Sequence, residues 1–190
     1  GQVPPYPEGK NLLNDKTVIV TAAAGSGIGF ATAKRCAEEG ASVFLSDSHA
    51  RRLDESIKLL SEAGHRVAGV TCDVTIEEEV EGLINSAASH FGAIDIMINN
   101  AGLGGQTDLI EMSDEEWFKV IDVTLNGTMR CTRAAMRHMI PNQKGVIVNN
   151  ASVVGWRAQE GQTHYAAAKA GVMALTRCSA LEAAKSGVRI

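Results

Sequence analysis

Short runs rich in Val and Ile alternate with helix-like segments along the chain, and this alternation restricts the possible folds more than any other feature. The runs are too short for helices and predict strands buried on both faces of a sheet. We predict strands over residues 17–21, 42–46, 67–72, 94–98, 146–149 and 188–190, and helices over 28–39, 51–63, 76–91, 114–139 and 163–185. Such an alternation pairs strands in parallel through right-handed crossovers. The predicted fold is therefore α/β, a Rossmann-like doubly wound parallel sheet in three layers (α/β/α).

Turn signals and the chain ends define the predicted domain organisation. Gly40 and Gly64 follow the first two helices as C-terminal caps, and the segment from Ser113 to Glu116 is a capping box that opens the long fourth helix. Residues 1–14 are rich in Pro, Gly and Asn, which predicts a surface tail before one domain over residues 15–190. The last predicted strand opens at residue 188, so we expect the carboxyl-terminal strands of the sheet to be absent from this chain.

Composition and charge exclude several function classes. The 190 residues carry a net charge of −4 with no block of Lys or Arg, so a nucleic-acid partner is not expected. No apolar run is long enough to cross a bilayer, and the N-terminus has no charged-then-apolar signal pattern, so we expect a cytoplasmic protein without a membrane partner. The four cysteines and five histidines lack the spacing of metal ligands, which predicts free thiols and no metal site.

A turn of small residues, from Thr21 to Gly29, joins the first predicted strand to the first helix. Small residues let the backbone turn sharply and approach a pyrophosphate, whose charge is then met by free N–H groups at the helix N-terminus. The turn lacks the G-x-G-x-x-G spacing, so taken alone it also fits an ordinary tight turn. Its candidate cofactor-binding residues are Ala23, Ser26, Gly27 and Ile28.

Asp47 stands at the end of the second predicted strand, 18 residues after Gly29. A carboxylate at this place can accept hydrogen bonds from the adenosine ribose hydroxyls of a dinucleotide. A 2′-phosphate there would meet like-charge repulsion, so Asp47 favours NAD over NADP. Arg51 and Arg52 lie nearby and could pair with a phosphate, but we expect them to be solvated residues of the first helical turn.

Three further residues fit proton and hydride chemistry. Tyr165 and Lys169 are four residues apart in a predicted helix and therefore share one face. An ammonium near a phenol stabilises the phenolate, which could exchange a proton with a secondary alcohol or ketone while hydride moves to or from nicotinamide. Ser152 follows the fifth predicted strand and could donate a hydrogen bond to the same substrate oxygen. Taken singly, a Tyr-x-x-x-Lys pair is more often part of a surface helix.

The combination of these signals is far more specific than any one of them. The TAAAGSGIG turn, Asp47, the CDV segment at 72–74, the NNAG segment at 99–102, Ser152 and the YAAAK segment at 165–169 resemble the short-chain dehydrogenase/reductase family in order and spacing. The resemblance covers nearly the whole chain, from about Asp15 to Ile190. Without it, the NNAG segment would fit a polar turn equally well.

The resemblance implies an enzyme that uses NAD, with NADP less expected, on a small-molecule alcohol or ketone. It implies catalytic roles for Ser152, Tyr165 and Lys169, with Tyr165 and Lys169 also at the cofactor. It also implies a homodimer or homotetramer formed through the two long helices, whose many small residues allow close approach. The remaining cofactor contacts that it implies come from Asp73, Val74, Asn100, Ala101 and Gly102.

Two departures from the family pattern bear on function. The family turn T-G-x-x-x-G-I-G has Ala22 and Ala23 here in place of the Thr and the first Gly, which cofactor binding tolerates if the replaced glycine has a negative φ. The family's fourth catalytic residue is an Asn that helps to hold a water near the Lys, and Thr124 takes its place in this chain. Thr has fewer hydrogen-bonding groups than Asn, and Asn126 should face another side of the helix.

The stretch around Tyr165 is similar to actinobacterial members that act on CoA thioesters of steroid-derived acids, and more generally to 3-oxoacyl-carrier-protein reductases. It favours a lipid- or steroid-derived CoA thioester as substrate. One alternative is an NADPH-dependent carrier-protein reductase, which Asp47 disfavours. Another is a non-catalytic dinucleotide-binding protein, which Thr124 allows and the intact Ser152, Tyr165 and Lys169 disfavour. Trp156 could border the substrate cleft or pack in the core.

Overall fold

The computed structural model describes residues 3–190 and confirms the predicted α/β class. Six strands form one sheet in the order β3-β2-β1-β4-β5-β6, the strand order of a Rossmann-like fold. All neighbouring strands are parallel, so their carboxyl ends lie at the same edge of the sheet. The strands are β1 (Thr17–Val20), β2 (Ser42–Asp47), β3 (Val67–Thr71), β4 (Ile96–Asn99), β5 (Gly145–Asn149) and β6 (Val188–Arg189).

The helices are α1 (Ile28–Glu38), α2 (Ala50–Glu62), α3 (Glu77–Phe91), α4 (Asp114–Ile121), α5 (Gly127–Met139) and α6 (Thr163–Ala184). The outer bounds of the predicted elements differ from these by one or two residues, the range over which helix ends fray. Gly40 and Gly64 have φ values of +90° and +87°, the left-handed conformation of a helix C-cap, as predicted. No helix within residues 3–190 has the length and apolar character needed to cross a membrane.

Helices cover both faces of the sheet and enclose two apolar clusters. On one face Ile19 and Met97 belong to a cluster that includes residues of α3 and α5. On the other face Val18 and Leu45 belong to a cluster that includes residues of α1 and α2. Burial from both sides explains why the strands are continuous apolar runs rather than alternating sequences.

The segment predicted as one helix over residues 114–139 contains a wider turn. Asp122–Asn126 forms five residues of π-helix between α4 and α5, so the helical path continues but its pitch changes. Such turns are rare and frequently mark functional sites. Thr124 stands at the centre of this turn and has no exposed surface. Hydrophobic periodicity predicts the extent of the helix but does not show this turn.

The predicted tail is exposed but fixed to the domain. Of residues 1–14, Gly1 and Gln2 lie outside the described part of the chain. The Glu39 carboxylate, at the end of α1, accepts hydrogen bonds from the backbone N–H groups of Lys10 and Leu12 at 2.8 and 3.2 Å. Arg35 donates to the Pro7 carbonyl at 2.6 Å. These bonds satisfy a carboxylate that is itself buried, and they hold the segment against α1.

Candidate active site

A crevice of about 540 Å³ opens at the carboxyl edge of the sheet. It is lined by the loops that follow β1, β2, β3 and β4, the place where open α/β sheets bind their ligands. The predicted cofactor-binding residues that line it are Asp47, Asp73, Val74, Ala101 and Gly102. Residues that are far apart in the sequence therefore meet at one crevice.

The small-residue turn differs in detail from the prediction. Ala22 has φ +49°, the left-handed conformation that favours glycine, whereas Ala23 has a negative φ. Ala23 is also fully buried and donates its N–H to the Ser46 carbonyl at 2.9 Å, and Ala22 and Ala24 line the crevice instead. Ala23, which replaces the first Gly of the family turn, thus meets the condition of a negative φ, and the residue that adopts the glycine-like conformation is Ala22.

Close packing at the start of α1 explains one glycine of this turn. A Cβ on Gly29 would lie 2.0 Å from the Ala22 carbonyl oxygen, so no larger residue fits there. The other predicted residues of the turn are exposed at the N-terminus of α1, with Gly27 as its N-cap. Free N–H groups at such an end can meet a phosphate. The exposed residues are Ser26, Gly27 and Ile28.

Asp47 is fixed at one end of the crevice by backbone donors. One carboxylate oxygen accepts from the Ala24 N–H at 3.2 Å, and the other accepts from the His49 N–H at 3.0 Å. The His49 ring Nδ1 also lies 3.2 Å from that second oxygen. Each carboxylate oxygen can accept more than one hydrogen bond, so capacity remains for a ligand hydroxyl.

The two arginines near Asp47 occupy different positions. Arg51 pairs with Glu55 at 3.3 Å on the exposed side of α2, as expected for a solvated residue. Arg52 is also exposed in the first turn of α2, as expected, but it lines the crevice together with Ser48 and His49. The crevice thus holds both the Asp47 carboxylate and the Arg52 guanidinium.

The crevice wall after β3 is held by local bonds. The Asp73 carboxylate accepts from the N–H and hydroxyl of Thr75 at 2.9 and 2.8 Å, which closes a tight turn. Val74 is buried, and a Cβ on Gly127 would lie 2.6 Å from its side chain. The turn therefore presents Asp73 and Val74 to the crevice from a rigid base.

Asn100 braces the strand ends, with two partners that the sequence analysis did not single out. The Asn100 side chain donates to the carbonyls of Thr21 and Ala22, both at 3.2 Å, and accepts from Asn150 at 2.9 Å. The Thr21 hydroxyl accepts from the N–H groups of Asn100 and Ala101, both at 3.0 Å. Thr21 and Asn150 follow buried strands directly, and that position was the available signal for them.

Tyr165 and Lys169 lie together on α6 and face the loop that follows β4. The Lys169 Nζ lies 5.6 Å from the centre of the Tyr165 ring, and a Cβ on Gly104 would lie 3.7 Å from that ring. The Nζ donates to the Asn150 carbonyl at 2.6 Å, which ties α6 to the end of β5. Burial lowers the pKa of Lys169 from its ordinary value, because a desolvated ammonium is less stable than a solvated one.

Ser152 begins a short 3₁₀ turn, Val153–Gly155, that packs on α6. Its hydroxyl accepts from the Val154 N–H at 3.4 Å. A Cβ on Gly155 would lie 3.1 Å from the Lys169 backbone, so this turn and the base of the lysine are in close contact. Trp156, just beyond, is 69% exposed, which contradicts the core-packing alternative for this residue.

The structure assigns the Thr124 hydroxyl to the loop that follows β4. It donates to the Leu103 carbonyl at 2.8 Å and accepts from the Leu103 N–H at 2.9 Å. Gly102 lies between Thr124 and Lys169, since a Cβ there would be within 4 Å of both side chains. Asn126 donates to Asp122 at 3.0 Å, on another side of the helix, as predicted.

Comparison with known proteins shows the family of this chain. The short chain dehydrogenase family matches residues 16–190, and the chain belongs to that family. The family defines it as an NAD(P)-dependent oxidoreductase that acts on CH–OH groups and their carbonyl counterparts.

Three individual proteins illustrate the likeness. The (5R,7aS)-5-hydroxy-7a-methyl-1-oxo-2,3,5,6,7,7a-hexahydro-1H-indene-carboxyl-CoA reductase of Mycobacterium tuberculosis is 58% identical over 184 residues, which are 96% of this chain and 70% of that protein. A short chain dehydrogenase from Mycobacterium smegmatis, a solved structure, is 56% identical with a TM-score of 0.97 over 100% of this chain and 80% of that chain. A xylitol dehydrogenase solved with NAD⁺ is 34% identical with a TM-score of 0.91 over 94% of this chain and 69% of that chain.

Proposed function

We propose that the protein transfers hydride between NAD(H) and a secondary alcohol or ketone carried by a lipid- or steroid-derived acyl-CoA thioester. Ser152, Tyr165 and Lys169 are the catalytic residues of this proposal. The observation that carries it is the position of Tyr165 and Lys169 together against Gly102 and Gly104, beside the crevice at the carboxyl edge of the sheet.

The residues of the crevice fit a nicotinamide dinucleotide. Asp47 has acceptor capacity for ribose hydroxyls, Asp73 and Val74 form the wall expected for adenine, and the N-terminus of α1 offers N–H groups to a pyrophosphate. Ala101 and Gly102 line the crevice, with Gly102 next to Lys169, and Asn100 braces the adjoining strand ends. The carboxylate of Asp47 supports NAD, because it would repel a 2′-phosphate. When bound, the nicotinamide ring accepts or supplies the hydride.

The catalytic side chains divide the remaining work. In alcohol oxidation the Tyr165 phenolate accepts the proton of the alcohol O–H, and in ketone reduction the phenol returns it to the oxygen. The Lys169 ammonium stabilises the phenolate by charge, and the Asn150 carbonyl and burial hold its Nζ in one place. Ser152 donates a hydrogen bond to the substrate oxygen, where negative charge develops.

The substrate class is supported by similarity and by two exposed side chains that follow Ser152 in the sequence. The relative from Mycobacterium tuberculosis is named for a carboxyl-CoA substrate with a hydroxyl and an oxo group on a fused ring. In this chain Trp156 is exposed just past Ser152, and the Arg157 guanidinium lies 5.3 Å from the centre of its ring. An aromatic face and a cation at this place suit an apolar ring system with an anionic tail.

We also propose one domain over residues 15–190 and self-association through the long helices. Ala134 and Ala135 of α5 are buried against the sheet, whereas Ala167, Ala170 and Ala174 of α6 are exposed. The small residues thus serve internal packing on one face and remain available for a second copy on another. An apolar groove between α5 and α6, lined by Met129, Met136 and Leu175, supports that arrangement.

A variant of the proposed acid–base residue tests the function. The protein is assayed with NAD⁺ and a panel of secondary alcohols, each offered as the CoA thioester and as the free acid. We expect Tyr165→Phe to lower kcat by about 10²- to 10⁴-fold while NADH binding, followed by fluorescence, is retained. Tyr6→Phe is the matched control, because Tyr6 is exposed and its hydroxyl donates to Glu38 in α1, away from the crevice. An unchanged rate in Tyr165→Phe would remove that residue from the mechanism.

A further inference from the structure

His164 stands directly before Tyr165 in α6 and has no exposed surface. Its Nε2 lies 3.2 Å from the Glu116 carboxylate of α4, whereas its Nδ1 has no partner within residues 3–190. A carboxylate oxygen that also receives the Thr107 hydroxyl is an acceptor, so Nε2 is the donor in this pair. A leucine would fill a similar space without leaving a buried polar atom unpaired. The feature that distinguishes the imidazole from leucine here is its Nε2–H donor to Glu116, and we infer that this donor has a role.

The same carboxylate oxygen receives a second hydrogen bond. The Thr107 hydroxyl donates to Glu116 Oε1 at 2.7 Å, and the Thr107 N–H donates to the Gly161 carbonyl at 2.9 Å, just before α6. The sequence analysis took Glu116 as one half of a capping box with Ser113. Ser113 does accept from the Glu116 N–H at 3.1 Å, but the Glu116 side chain bonds to Thr107 and His164. The capping-box sequence thus places at position 116 a carboxylate that bonds to Thr107 and His164 rather than to the start of α4.

These bonds hold a loop that contacts the catalytic tyrosine. Thr107 is three residues beyond Gly104, whose backbone packs on the Tyr165 ring. Gly105 lies between them, and a Cβ there would be 2.9 Å from His164 Nε2 and 3.2 Å from Glu116 Oε1. The other end of this short segment is held at Leu103 by the Thr124 hydroxyl. Both ends of the segment that touches Tyr165 are therefore fixed by side-chain bonds.

We propose that Thr107, Glu116 and His164 form a polar clamp that holds the 103–107 segment against the Tyr165 ring and so sets the position of the phenol at the substrate site. The three are positioning residues that act through the loop and through Tyr165. The inference rests on the proposed catalytic role of Tyr165 for its effect on turnover, but the clamp itself is a structural claim that can be measured without turnover.

Two substitutions are chosen to open the clamp, and a third keeps a hydrogen-bond donor at His164. His164→Leu keeps the volume but removes the donor, and Thr107→Val keeps the shape but removes the hydroxyl. His164→Gln keeps an N–H near the position of Nε2. Glu115→Gln is the matched control, because Glu115 is exposed on the same helix next to Glu116. If His164→Leu does not fold, the half-buried Thr107→Val variant carries the test.

The first readout is amide hydrogen exchange over residues 101–113 in the purified protein. We expect His164→Leu and Thr107→Val to accelerate exchange in this segment by about five- to tenfold, because each loses a hydrogen bond that closes the loop. His164→Gln should lie within about threefold of the wild type, and Glu115→Gln should not change. Unchanged exchange in both opening variants would overturn the clamp.

The second readout separates the clamp from a general loss of stability. With the best substrate of the panel, we expect the opening variants to lower kcat about tenfold and to raise KM less, since a displaced phenol is poorly placed for proton transfer with the bound substrate. NADH binding should stay within about twofold, because Asp47 and Asp73 are not part of the clamp. Equal loss of NADH binding and of turnover would overturn the positioning role. Faster exchange in a protein that oxidises no alcohol would instead contradict the proposed function and leave the clamp standing.

Discussion

The Thr124 hydroxyl and the Leu103 backbone form a two-way hydrogen bond, with the hydroxyl as donor to the carbonyl and as acceptor from the N–H. A π-helical turn places this buried threonine opposite the loop. Where the family pattern has an Asn, this chain thus uses its hydroxyl to fix the backbone beside Lys169. We propose that Thr124 supports catalysis as a positioning residue through that loop.

Replacing Thr124 by Val should be costly, because it keeps the shape but leaves both polar groups of Leu103 without their partner. We expect the free energy of unfolding to fall by about 1–3 kcal/mol, measured by urea denaturation. Thr124→Ser should retain most of the stability. Thr128→Val is the control, since Thr128 is also buried and its hydroxyl donates to the Thr124 carbonyl at 2.8 Å, a bond local to the helix. Equal losses in Thr124→Val and Thr128→Val would contradict the special role of the two-way bond.

Much of the fold was predictable because its signals are local. Continuous apolar strands, capping glycines such as Gly40 and Gly64, and helix periodicity each depend on neighbouring residues, and the structure confirms them. The carboxyl-edge position of Asp47 and Gly102 also followed, because parallel strands end at one edge. This last prediction needs only the order of the strands and helices along the chain.

The unpredicted features depend on contacts between distant segments. The hydrogen bonds of Thr21 to Asn100 and of His164 to Glu116 join residues far apart in the chain, and no local pattern encodes them. The wide turn at Thr124 adds no change to the hydrophobic pattern of its helix. The orientation of Arg52 into the crevice is likewise set by where α2 packs, not by its sequence neighbours.

The left-handed conformation of Ala22 in the small-residue turn can be tested by measuring stability. A non-glycine residue at φ +49° is strained by about 1 kcal/mol, and glycine would relieve this at a similar cost in unfolded-state entropy. We therefore expect Ala22→Gly to change the free energy of unfolding by less than about 0.5 kcal/mol. Ala23→Gly, which loses a buried methyl at a negative φ, should destabilise by about 1–2 kcal/mol. The reverse order of the two variants in urea denaturation would contradict the assigned conformations.

Burial of Lys169 links stability to pH. Its folded pKa lies below the ordinary value, so between the folded and unfolded pKa values the folded state binds fewer protons and stability rises with pH. Below that window the buried ammonium opposes folding. We expect Lys169→Met to be inactive yet as stable as the wild type or more so at neutral pH, with the difference shrinking as the pH approaches the unfolded pKa. Urea denaturation from neutral pH to the unfolded pKa measures this difference in the free energy of unfolding.

Lys185→Met is the control for that measurement, because Lys185 is exposed at the end of the same helix. It should show no pH-dependent difference from the wild type. If Lys169→Met were less stable than the wild type by more than about 1 kcal/mol at neutral pH, the hydrogen bond to Asn150 would outweigh the desolvation of the ammonium.

Asp47 and Arg52 line the same crevice with opposite charges, and this makes cofactor choice the sharpest test of the crevice. The Asp47 carboxylate should favour NADH, and its removal should leave Arg52 as a cation in the crevice that suits a 2′-phosphate. We expect Asp47→Ser to lower the ratio of the NADPH Kd to the NADH Kd by about 10- to 100-fold, measured by fluorescence titration.

Adding Arg52→Ala to Asp47→Ser should reverse most of this gain for NADPH, whereas adding Arg51→Ala should not, because Arg51 pairs with Glu55 on the exposed side of α2. A wild-type protein that binds NADPH more tightly than NADH would show that Arg52 dominates over Asp47. An Asp47→Ser variant with an unchanged ratio would mean that the adenosine ribose does not lie at Asp47.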